Sequence, residues 1–311
     1  MTDAFGRPGV YLTLGGQNRR TATARAALAD ATARLRDAGV DSARVDAELL
    51  LAHCLGVERS RLSTVDGVDE AAGRDFFALV ERRAAREPLQ HICGSAPFRY
   101  LDVAVGPGVF VPRPETESLV DAVLPALTSL TAPVVVDLCA GTGAIALSIA
   151  SEVPGAAVYA VELLPDALAW LKRNAGTEIT AIAGDVTDPS LLAQLRGRVD
   201  AVVSNPPYVP LGTSVEPEVR ADPAEAVFGG ADGMALIPDV IARAAALLRP
   251  GGVLAVEHDA THGEAVPRLL RDGRLWRDVA DHRDLAGQPR YATAVRGLSR
   301  PAAGWPRVDA L

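Results

Sequence analysis

The sequence contains few cysteines and no long apolar run, and each shortage excludes a class of protein. Its three cysteines, Cys54, Cys93 and Cys139, are far apart in a chain of 311 residues, which predicts neither a disulfide framework nor a metal knuckle. No uninterrupted apolar stretch approaches the ~18 residues of a membrane-spanning helix. Residues 1–20 carry no apolar core of the kind that a secretory signal needs. We therefore expect a protein of the reducing cytoplasm.

The chain also has a shortage of positive charge. It carries 31 basic and 39 acidic side chains, for a net charge of −8. Because non-specific nucleic-acid binding comes from Lys and Arg that displace counterions from phosphates, we expect no direct nucleic-acid binding. The absence of a long apolar run predicts no membrane partner. Hydrophobic residues make up 49% of the chain without any long block of like charge, so most of it should fold around a sizeable core.

Two segments of different pattern occupy the first third of the chain. Across residues 21–86, apolar side chains recur at spacings of three and four, which predicts a small helical bundle. Residues Phe98–Val105 are strand-like, and the Gly-Pro-Gly turn at 106–108 leads into the short apolar segment Val109–Val111. This second segment predicts a β-hairpin that links two domains.

After residue 133 the sequence alternates between strand-like and helix-like segments. Such alternation specifies a parallel sheet with helices on both faces. The segments around Val279 and at Tyr291–Val295 predict a hairpin at the edge of that sheet. The predicted strands are Val134–Leu138, Ala157–Val161, Ile179–Ala183, Ala201–Ser204 and Val253–Glu257, and the predicted helices are Ala144–Ser151, Asp166–Asn174 and Ala235–Leu248.

A glycine-containing turn after the first of these strands predicts a nucleoside site. Residues 141–146 read Gly-x-Gly-x-x-Ala, where glycine lets the backbone approach a ligand and the following helix presents its N–H groups. Glu162 ends the second strand, where a carboxylate can accept both ribose hydroxyls. Asp185 ends the third strand and could receive an adenine amino group or cap the next turn; both alternatives remain open.

The fourth strand runs into Asn205-Pro206-Pro207-Tyr208, which suits neither strand nor helix and so makes the chain leave the sheet rigidly. An amide or exocyclic amine is a poor nucleophile because its lone pair is delocalised. The side-chain oxygen of Asn205 and the carbonyl of Pro206 could accept its two hydrogens and aim the lone pair at a methyl sulfonium, while Tyr208 packs on the planar group. No strong general base is needed, since the proton becomes acidic only as the N–C bond forms.

These motifs resemble the class I S-adenosylmethionine-dependent methyltransferases and, more closely, the PrmC/HemK family. The resemblance runs from about residue 24 to residue 297 and includes Val-Pro-Arg-Pro-Glu-Thr-Glu at 111–117 and Phe-Gly-Gly-Ala-Asp-Gly at 228–233. That family methylates the side-chain amide N5 of the glutamine in the Gly-Gly-Gln motif of peptide chain release factors. The resemblance implies S-adenosyl-L-methionine as cofactor and release factors as partners. It also implies a Rossmann-like methyltransferase domain with a mostly parallel seven-stranded sheet, preceded by a small all-α bundle and a linking β-hairpin.

The residue patterns and the resemblance together assign parts of the chain and single residues. The expected parts are a flexible extension (1–20), a helical domain that docks the substrate (21–87), the linking hairpin (88–112), the methyltransferase domain (113–298) and a flexible tail (299–311). The expected catalytic residues, which hold the glutamine, are Asn205, Pro206, Pro207 and Tyr208. The expected cofactor-binding residues are Asp137, Cys139, Ala140, Gly141, Thr142, Gly143, Glu162, Asp185, Val186 and Asn205, and no metal site is expected.

Two other functions share part of this pattern. An adenine-N6 nucleic-acid methyltransferase uses the same tetrapeptide, but the acidic charge and the absence of a DNA-reading segment argue against it. A non-catalytic cofactor-binding module would be expected to lose some of the site residues.

His258-Asp259 could edge the pocket, and Arg113 could shape its entrance or pair with Glu115 or Glu117. The segment Gly15-Gly16-Gln17 reproduces the methylated tripeptide, which chance explains most simply in a glycine-rich stretch.

Overall fold

A computed structural model describes residues 22–298, which divide into two compact units, one ending at Cys93 and the other beginning at Gly94. The predicted extension and tail, and with them Gly15-Gly16-Gln17, lie outside the described residues. No helix among residues 22–298 combines the length and the apolar character that crossing a membrane requires.

The N-terminal unit is the small helical bundle that the sequence predicts. Its core is formed by fully buried side chains such as Leu35, Leu50 and Phe76. Inside the bundle, Arg83 Nε donates to Asp46 Oδ2 at 2.7 Å, and both side chains are more than nine-tenths buried. Two short strands that the helical pattern does not predict pair with each other. The elements are β1 (Ala22–Thr23), α1 (Ala24–Asp37), α2 (Ala43–Leu55), β2 (Gly67–Val68), α3 (Glu70–Ala84) and α4 (Leu89–Cys93).

The second unit is built around a seven-stranded sheet, which confirms the predicted fold class. A two-stranded hairpin precedes it, and the helices follow the strands in alternation. The strands are β3 (Ser95–Phe98), β4 (Leu101–Ala104), β5 (Val134–Leu138), β6 (Ala157–Glu162), β7 (Thr180–Ala183), β8 (Val199–Ser204), β9 (Leu248–Glu257), β10 (Trp276–Arg283) and β11 (Pro289–Arg296). The helices are α5 (Glu117–Leu127), α6 (Ala144–Glu152), α7 (Pro165–Ala175), α8 (Ala224–Val227), α9 (Ile237–Leu247) and α10 (Ala265–Asp272).

The order of strands places a ligand site at the centre of the sheet. The order is β10-β11-β9-β8-β5-β6-β7. The five strands from β9 to β7 pair in parallel, and β11 pairs antiparallel with both β9 and β10, so β11 alone runs in the opposite direction. The chain winds outward from β5 in one direction to β7 and then returns to β8 on its other side. Ligands of open α/β sheets bind at the carboxyl ends of the strands where this reversal occurs, which here are β5 and β8.

Helices cover both faces of the sheet, and successive side chains of a strand point to opposite faces. Val135 of β5 belongs to one buried cluster together with side chains of α5, α6 and α7, whereas its neighbour Val136 belongs to a second cluster with side chains of α9 and α10. In β8, Val203 and Val202 divide in the same way. The strands therefore read as continuous apolar runs, and their polar residues occur where the strands end.

The turn of the linking hairpin is predicted at the wrong residues, Gly106–Gly108. The structure turns at Arg99-Tyr100, with Phe98 paired to Leu101. Val109 and Val111 are buried, but the segment that contains them forms no strand. Arg99 takes a φ of +51°, which non-glycine residues rarely adopt. Its guanidinium donates to the carboxylate of Glu152 at 2.5 and 2.8 Å, to the carboxylate of Asp121 at 2.8 Å and to the backbone carbonyl of Glu117 at 3.2 Å. These carboxylates stand on α5 and α6, so tertiary ion pairs decide a turn that local glycine and proline do not mark.

Candidate active site

A cavity of about 420 Å³ opens at the carboxyl ends of the central parallel strands. The turn after β5, the end of β6, the segment after β7 and the segment after β8 form one side of it, and residues 213–219 contribute another part of the lining. The structure brings eleven of the predicted site residues to this cavity: Cys139, Ala140, Gly141, Thr142, Glu162, Asp185, Val186, Asn205, Pro206, Pro207 and Tyr208. Asp137 and Gly143 do not line it.

Glu162 is held rigidly at the end of β6 by two backbone donors. The N–H of Gly141 donates to its Oε2, and the N–H of Leu164 donates to its Oε1, both at 2.8 Å. Each oxygen keeps a second lone pair for a ligand. The glycine turn and the acidic residue are therefore bonded to each other before any ligand arrives, and the carboxylate faces the cavity in a fixed orientation.

Asp137 and Gly143 shape the turn from beneath. Asp137 is fully buried; its Oδ2 accepts from the N–H of Ala146 at 3.2 Å, while its Oδ1 has no hydrogen-bond partner within residues 22–298. Burial, and less strongly the charge of Glu162, raise the pKa of Asp137 well above its ordinary value. Gly143 takes a φ of +85°, and a Cβ there would lie 2.6 Å from Leu171 Cδ1. Neither residue is placed to contact a ligand in the cavity.

Asp185 makes the capping bonds that one of its two sequence alternatives requires, and it also lies at the cavity. Its Oδ1 accepts from the backbone N–H and the hydroxyl of Thr187 at 2.8 and 2.7 Å, which is the capping arrangement. The residue still lines the cavity, beside the buried Val186. One carboxylate oxygen therefore fixes the turn, and the other is left to accept from a ligand.

Asn205 is oriented by Thr116, which belongs to the segment 111–117 that carries the resemblance but is not among the predicted site residues. Its Nδ2 donates to the hydroxyl oxygen of Thr116 at 3.2 Å, which leaves its Oδ1 as an acceptor. Thr116 is 4% exposed and lies in the turn Pro114–Thr116 that precedes α5. The end of β8 is also tied to β5, because the hydroxyl of Ser204 donates to the carbonyl of Leu138 at 2.8 Å. The acceptor atom of Asn205 therefore has a fixed place beside the glycine turn.

Tyr208 is anchored by a buried carboxyl group at the end of β9. Its hydroxyl donates to Glu257 Oε1 at 2.8 Å. Burial raises the pKa of Tyr208 well above its ordinary value, so the phenol stays neutral. Burial also raises the pKa of Glu257 to about 7, although the hydroxyls of Tyr208 and Thr116 lower it in part. Like Glu162, Glu257 ends an apolar strand, and that position is the signal by which the sequence could have revealed it.

A glycine-rich segment, Gly229–Gly233, supports the backbone of the Asn205–Tyr208 loop. The N–H of Val209 donates to Val227 O at 3.0 Å, and the N–H of Gly229 donates back to Val209 O at 2.9 Å. A Cβ at Gly229 would lie 2.6 Å from Gly233 O and closer still to Pro207 O; one at Gly233 would meet Tyr208 O. Only glycine permits this approach, so the loop is supported through its main chain.

The two remaining sequence alternatives resolve differently. Arg113 lines the cavity, but its predicted pairing with Glu115 or Glu117 is wrong: it donates to Asp222 at 2.7 Å. Asp222 lies 109 residues away in sequence and also accepts from Val111 N. His258 is fully buried and bonded to Asp281 at 2.9 Å, while its neighbour Asp259 reaches the cavity. Within the described residues, no group of acidic residues, histidines and cysteines could hold a metal ion.

The charges around the cavity favour a positively charged nucleoside. Its two guanidinium groups are both ion-paired, Arg113 with Asp222 and Arg290 with Asp284. The acidic side chains of the lining are Glu115, Glu162, Asp185, Glu216, Glu225 and Asp259. A sulfonium ion bearing a ribose and an adenine matches this set, since carboxylates accept from hydroxyl and amino groups and stabilise positive charge.

Comparisons with known proteins agree with this geometry. The PrmC N-terminal domain matches residues 26–94, and the methyltransferase small domain matches residues 101–220. The release factor glutamine methyltransferase of Streptomyces coelicolor is 51% identical over 88% of this chain and 98% of its own. That of Mycolicibacterium smegmatis is 52% identical over 88% of this chain and 97% of its own, and that of Moorella thermoacetica is 39% identical over 88% and 99%. The similarity thus extends through both units.

Proposed function

The chain belongs to the family of release factor glutamine methyltransferases, and from this premise we propose that it methylates the side-chain amide N5 of the glutamine in the Gly-Gly-Gln motif of a peptide chain release factor. Enzymes of this kind take the methyl group from S-adenosylmethionine. The proposal extends the family assignment to a particular acceptor atom, and the arrangement around Asn205 is the observation that supports it best.

We assign the cofactor to the part of the cavity beside the glycine turn. Glu162 would accept from the two ribose hydroxyls, and the free oxygen of Asp185, with Val186 next to it, would hold the adenine. The backbone of residues 139–142 would lie along the remaining part of the cofactor. When bound, S-adenosylmethionine supplies an electrophilic methyl group on a cationic sulfur, which the acidic lining stabilises.

The acceptor amide belongs against Asn205–Tyr208. Because Thr116 takes the Nδ2 group of Asn205, the Oδ1 atom is left to accept one N–H of the glutamine amide, and the carbonyl of Pro206 accepts the other. Both acceptors stabilise the positive charge that develops on the nitrogen as the new N–C bond forms. The proton then leaves to solvent, so no strong base is required. Tyr208, neutral and anchored, packs against the planar amide.

The N-terminal unit would dock the release factor, while the second unit carries the chemistry. The match of residues 26–94 to the PrmC N-terminal domain supports this division. A substitution on the exposed surface of the N-terminal unit that disturbs docking should raise KM for the release factor and leave the Kd for S-adenosylmethionine unchanged.

The test is a labelling experiment with the full chain. Purified protein is incubated with radiolabelled S-adenosylmethionine and a purified release factor, in parallel with a release factor whose Gly-Gly-Gln glutamine is replaced by Asn. Label on the wild-type release factor alone is the expected result, and Asn205→Ala should abolish it even at a concentration of S-adenosylmethionine that calorimetry shows to saturate the variant. Label on both release factors would assign a different acceptor, and no label on either despite cofactor binding would refute the proposed activity.

A further inference from the structure

The segment that begins with the acceptor loop, Asn205–Tyr208, and ends at Asp222 is held at both ends by the short stretch of chain that precedes α5. At its start, Asn205 donates to the hydroxyl oxygen of Thr116 at 3.2 Å. At its end, Asp222 accepts from the guanidinium of Arg113 at 2.7 Å. Because both anchors lie in one short stretch, the fixing of one end of the segment bears on the other.

Asp222 has a fully buried side chain and does not line the cavity. Its Oδ2 accepts from Arg113, and its Oδ1 accepts from the backbone N–H of Val111 at 3.1 Å. The guanidinium of Arg113 also lies over the ring of Phe110, 5.2 Å from its centroid. Any effect of Asp222 on a bound acceptor must therefore pass through the residues that it holds.

A short run of hydrogen bonds leads from Asp222 to Asn205. The turn Pro114–Thr116 starts from Arg113, whose carbonyl accepts from the N–H of Thr116 at 3.1 Å. The hydroxyl oxygen of Thr116 then accepts from Asn205. The proline at the start of the turn fixes one backbone angle, so a displacement of Arg113 is carried to Thr116 rather than absorbed between them.

We propose that Asp222 is a positioning residue for methyl transfer: by holding Arg113, it fixes the turn that orients the amide of Asn205. The inference rests on the proposed function. Without this carboxylate, the guanidinium of Arg113, whose side chain is 25% exposed, loses its ion pair, and the start of the turn loses a fixed contact. Thr116 then no longer holds its hydroxyl oxygen in one place, and the Asn205 amide can rotate away from the acceptor nitrogen.

Asp222→Asn tests this role with almost no change of volume. The amide oxygen can still accept from the N–H of Val111, but the NH₂ group faces the guanidinium of Arg113, where a donor meets a donor. A misplacement of ~1 Å costs about 100-fold in rate, so we expect D222N to lower kcat by about tenfold. The Kd for S-adenosylmethionine should change by less than about twofold, because the groups assigned to the cofactor are not bonded to Asp222.

Asp200→Asn is the matched control, because Asp200 has the same kinds of partner. Its Oδ2 accepts from the backbone N–H of Val134 at 2.8 Å, and its Oδ1 accepts from the guanidinium of Arg249 at 2.5 Å. These bonds lie where β5 and β8 begin, at the end of the sheet opposite the cavity. D200N should lower the midpoint of thermal unfolding, as D222N does, and leave kcat unchanged. The rate is expressed per cofactor-binding site counted by calorimetry, so unfolded protein does not lower it.

A combination with Thr116→Val separates positioning from a general loosening of the structure. T116V removes, at equal volume, the hydroxyl that holds Asn205, and should itself lower kcat. If Asp222 acts through this hydroxyl, D222N should lower the kcat of T116V by less than about twofold. Should D222N not fold, Arg113→Lys takes its place in the same comparison, since lysine keeps a charge beside Asp222 but lacks the planar fork of the guanidinium.

The outcomes separate the two proposals. If the wild-type protein labels the release factor and D222N matches D200N in kcat, the positioning role is refuted and the proposed function stands. Losses of D222N and T116V that multiply in the double variant would refute it as well, because Asp222 would then act by another route. If the wild-type protein gives no label, the proposed function fails and the role of Asp222 fails with it.

Discussion

Replacing Gly229 by alanine should slow methyl transfer by moving the main chain of the acceptor loop. The new Cβ would lie 2.6 Å from Gly233 O and closer still to Pro207 O, whereas Cβ atoms are essentially never found within 3.0 Å of another heavy atom. The new Cβ must therefore separate from Gly233 O by about 0.4 Å, the difference between 3.0 and 2.6 Å, and from Pro207 O by more than that. Both neighbours are backbone atoms, so no side-chain rotation can relieve the contact.

The displacement acts on the residues that would hold the acceptor. A misplacement of ~1 Å costs about 100-fold in rate, so we expect kcat to fall by about tenfold or more. Overpacking should also lower the free energy of unfolding by about 1–3 kcal/mol. The assay is the labelling reaction with saturating release factor, together with urea unfolding of each variant.

Gly287→Ala is the matched control. Gly287 has a φ of +78° and nothing within 4 Å of its would-be Cβ, so alanine there costs only backbone strain, about 1 kcal/mol, and should leave kcat unchanged. If Gly229→Ala lost stability but kept the wild-type kcat, the position of the Pro207 main chain would not limit the reaction, and the reasoning would be wrong.

Three further substitutions test other parts of the structure. Glu162→Gln should weaken S-adenosylmethionine binding by at least about tenfold, or about 1.4 kcal/mol. Both oxygens of Glu162 accept from backbone N–H groups, and the NH₂ of glutamine would face one of those donors. An unchanged Kd in calorimetry would contradict this. The pKa of Asp137 is raised in the folded state, so the folded protein holds a proton that the unfolded protein releases. The free energy of unfolding should therefore fall as pH rises above the ordinary carboxyl range. Asp137→Asn should flatten this dependence, measured by urea unfolding at about pH 5 and about pH 8. Arg83→Met leaves the buried Asp46 without its cationic partner and should lower the free energy of unfolding by about 3–5 kcal/mol. The double variant Arg83→Met/Asp46→Leu should lower it by less, because no buried charge remains. A smaller decrease for the single variant than for the double variant would refute this account.

The sequence predicts the central strands well because they are largely apolar runs, and β6, β8 and β9 end in a polar residue. The bounds of β5 agree to the residue, and those of α6 and α7 to within one, since glycine, proline and charge mark where each element ends. Glu162 is predictable for the same reason: a carboxylate that closes an apolar strand has few purely structural uses. The prediction rests on local patterns, so it is accurate for the elements whose ends are set by neighbouring residues in the sequence.

The remaining features depend on residues that are distant in sequence. Thr116 meets Asn205 across 89 residues, and Arg113 meets Asp222 across 109. No periodicity or spacing reports such a pair in a single sequence. Asp137 belongs to the predicted motif, yet its carboxyl group lies beneath the turn, because the last side chain but one of β5 points into the core. The turn at Arg99 is likewise decided by helices that follow it in the chain.

The support of the acceptor loop by Gly229–Gly233 has a consequence for changing the enzyme's specificity. The contact joins main chain to main chain, so the path of the loop does not depend on the side chains that surround the incoming acceptor. Thr213, Val215 and Val219 line the cavity and make no such backbone contact with the loop. A library that varies these three residues and keeps residues 229–233 unchanged should therefore yield folded proteins that differ in the acceptors they admit.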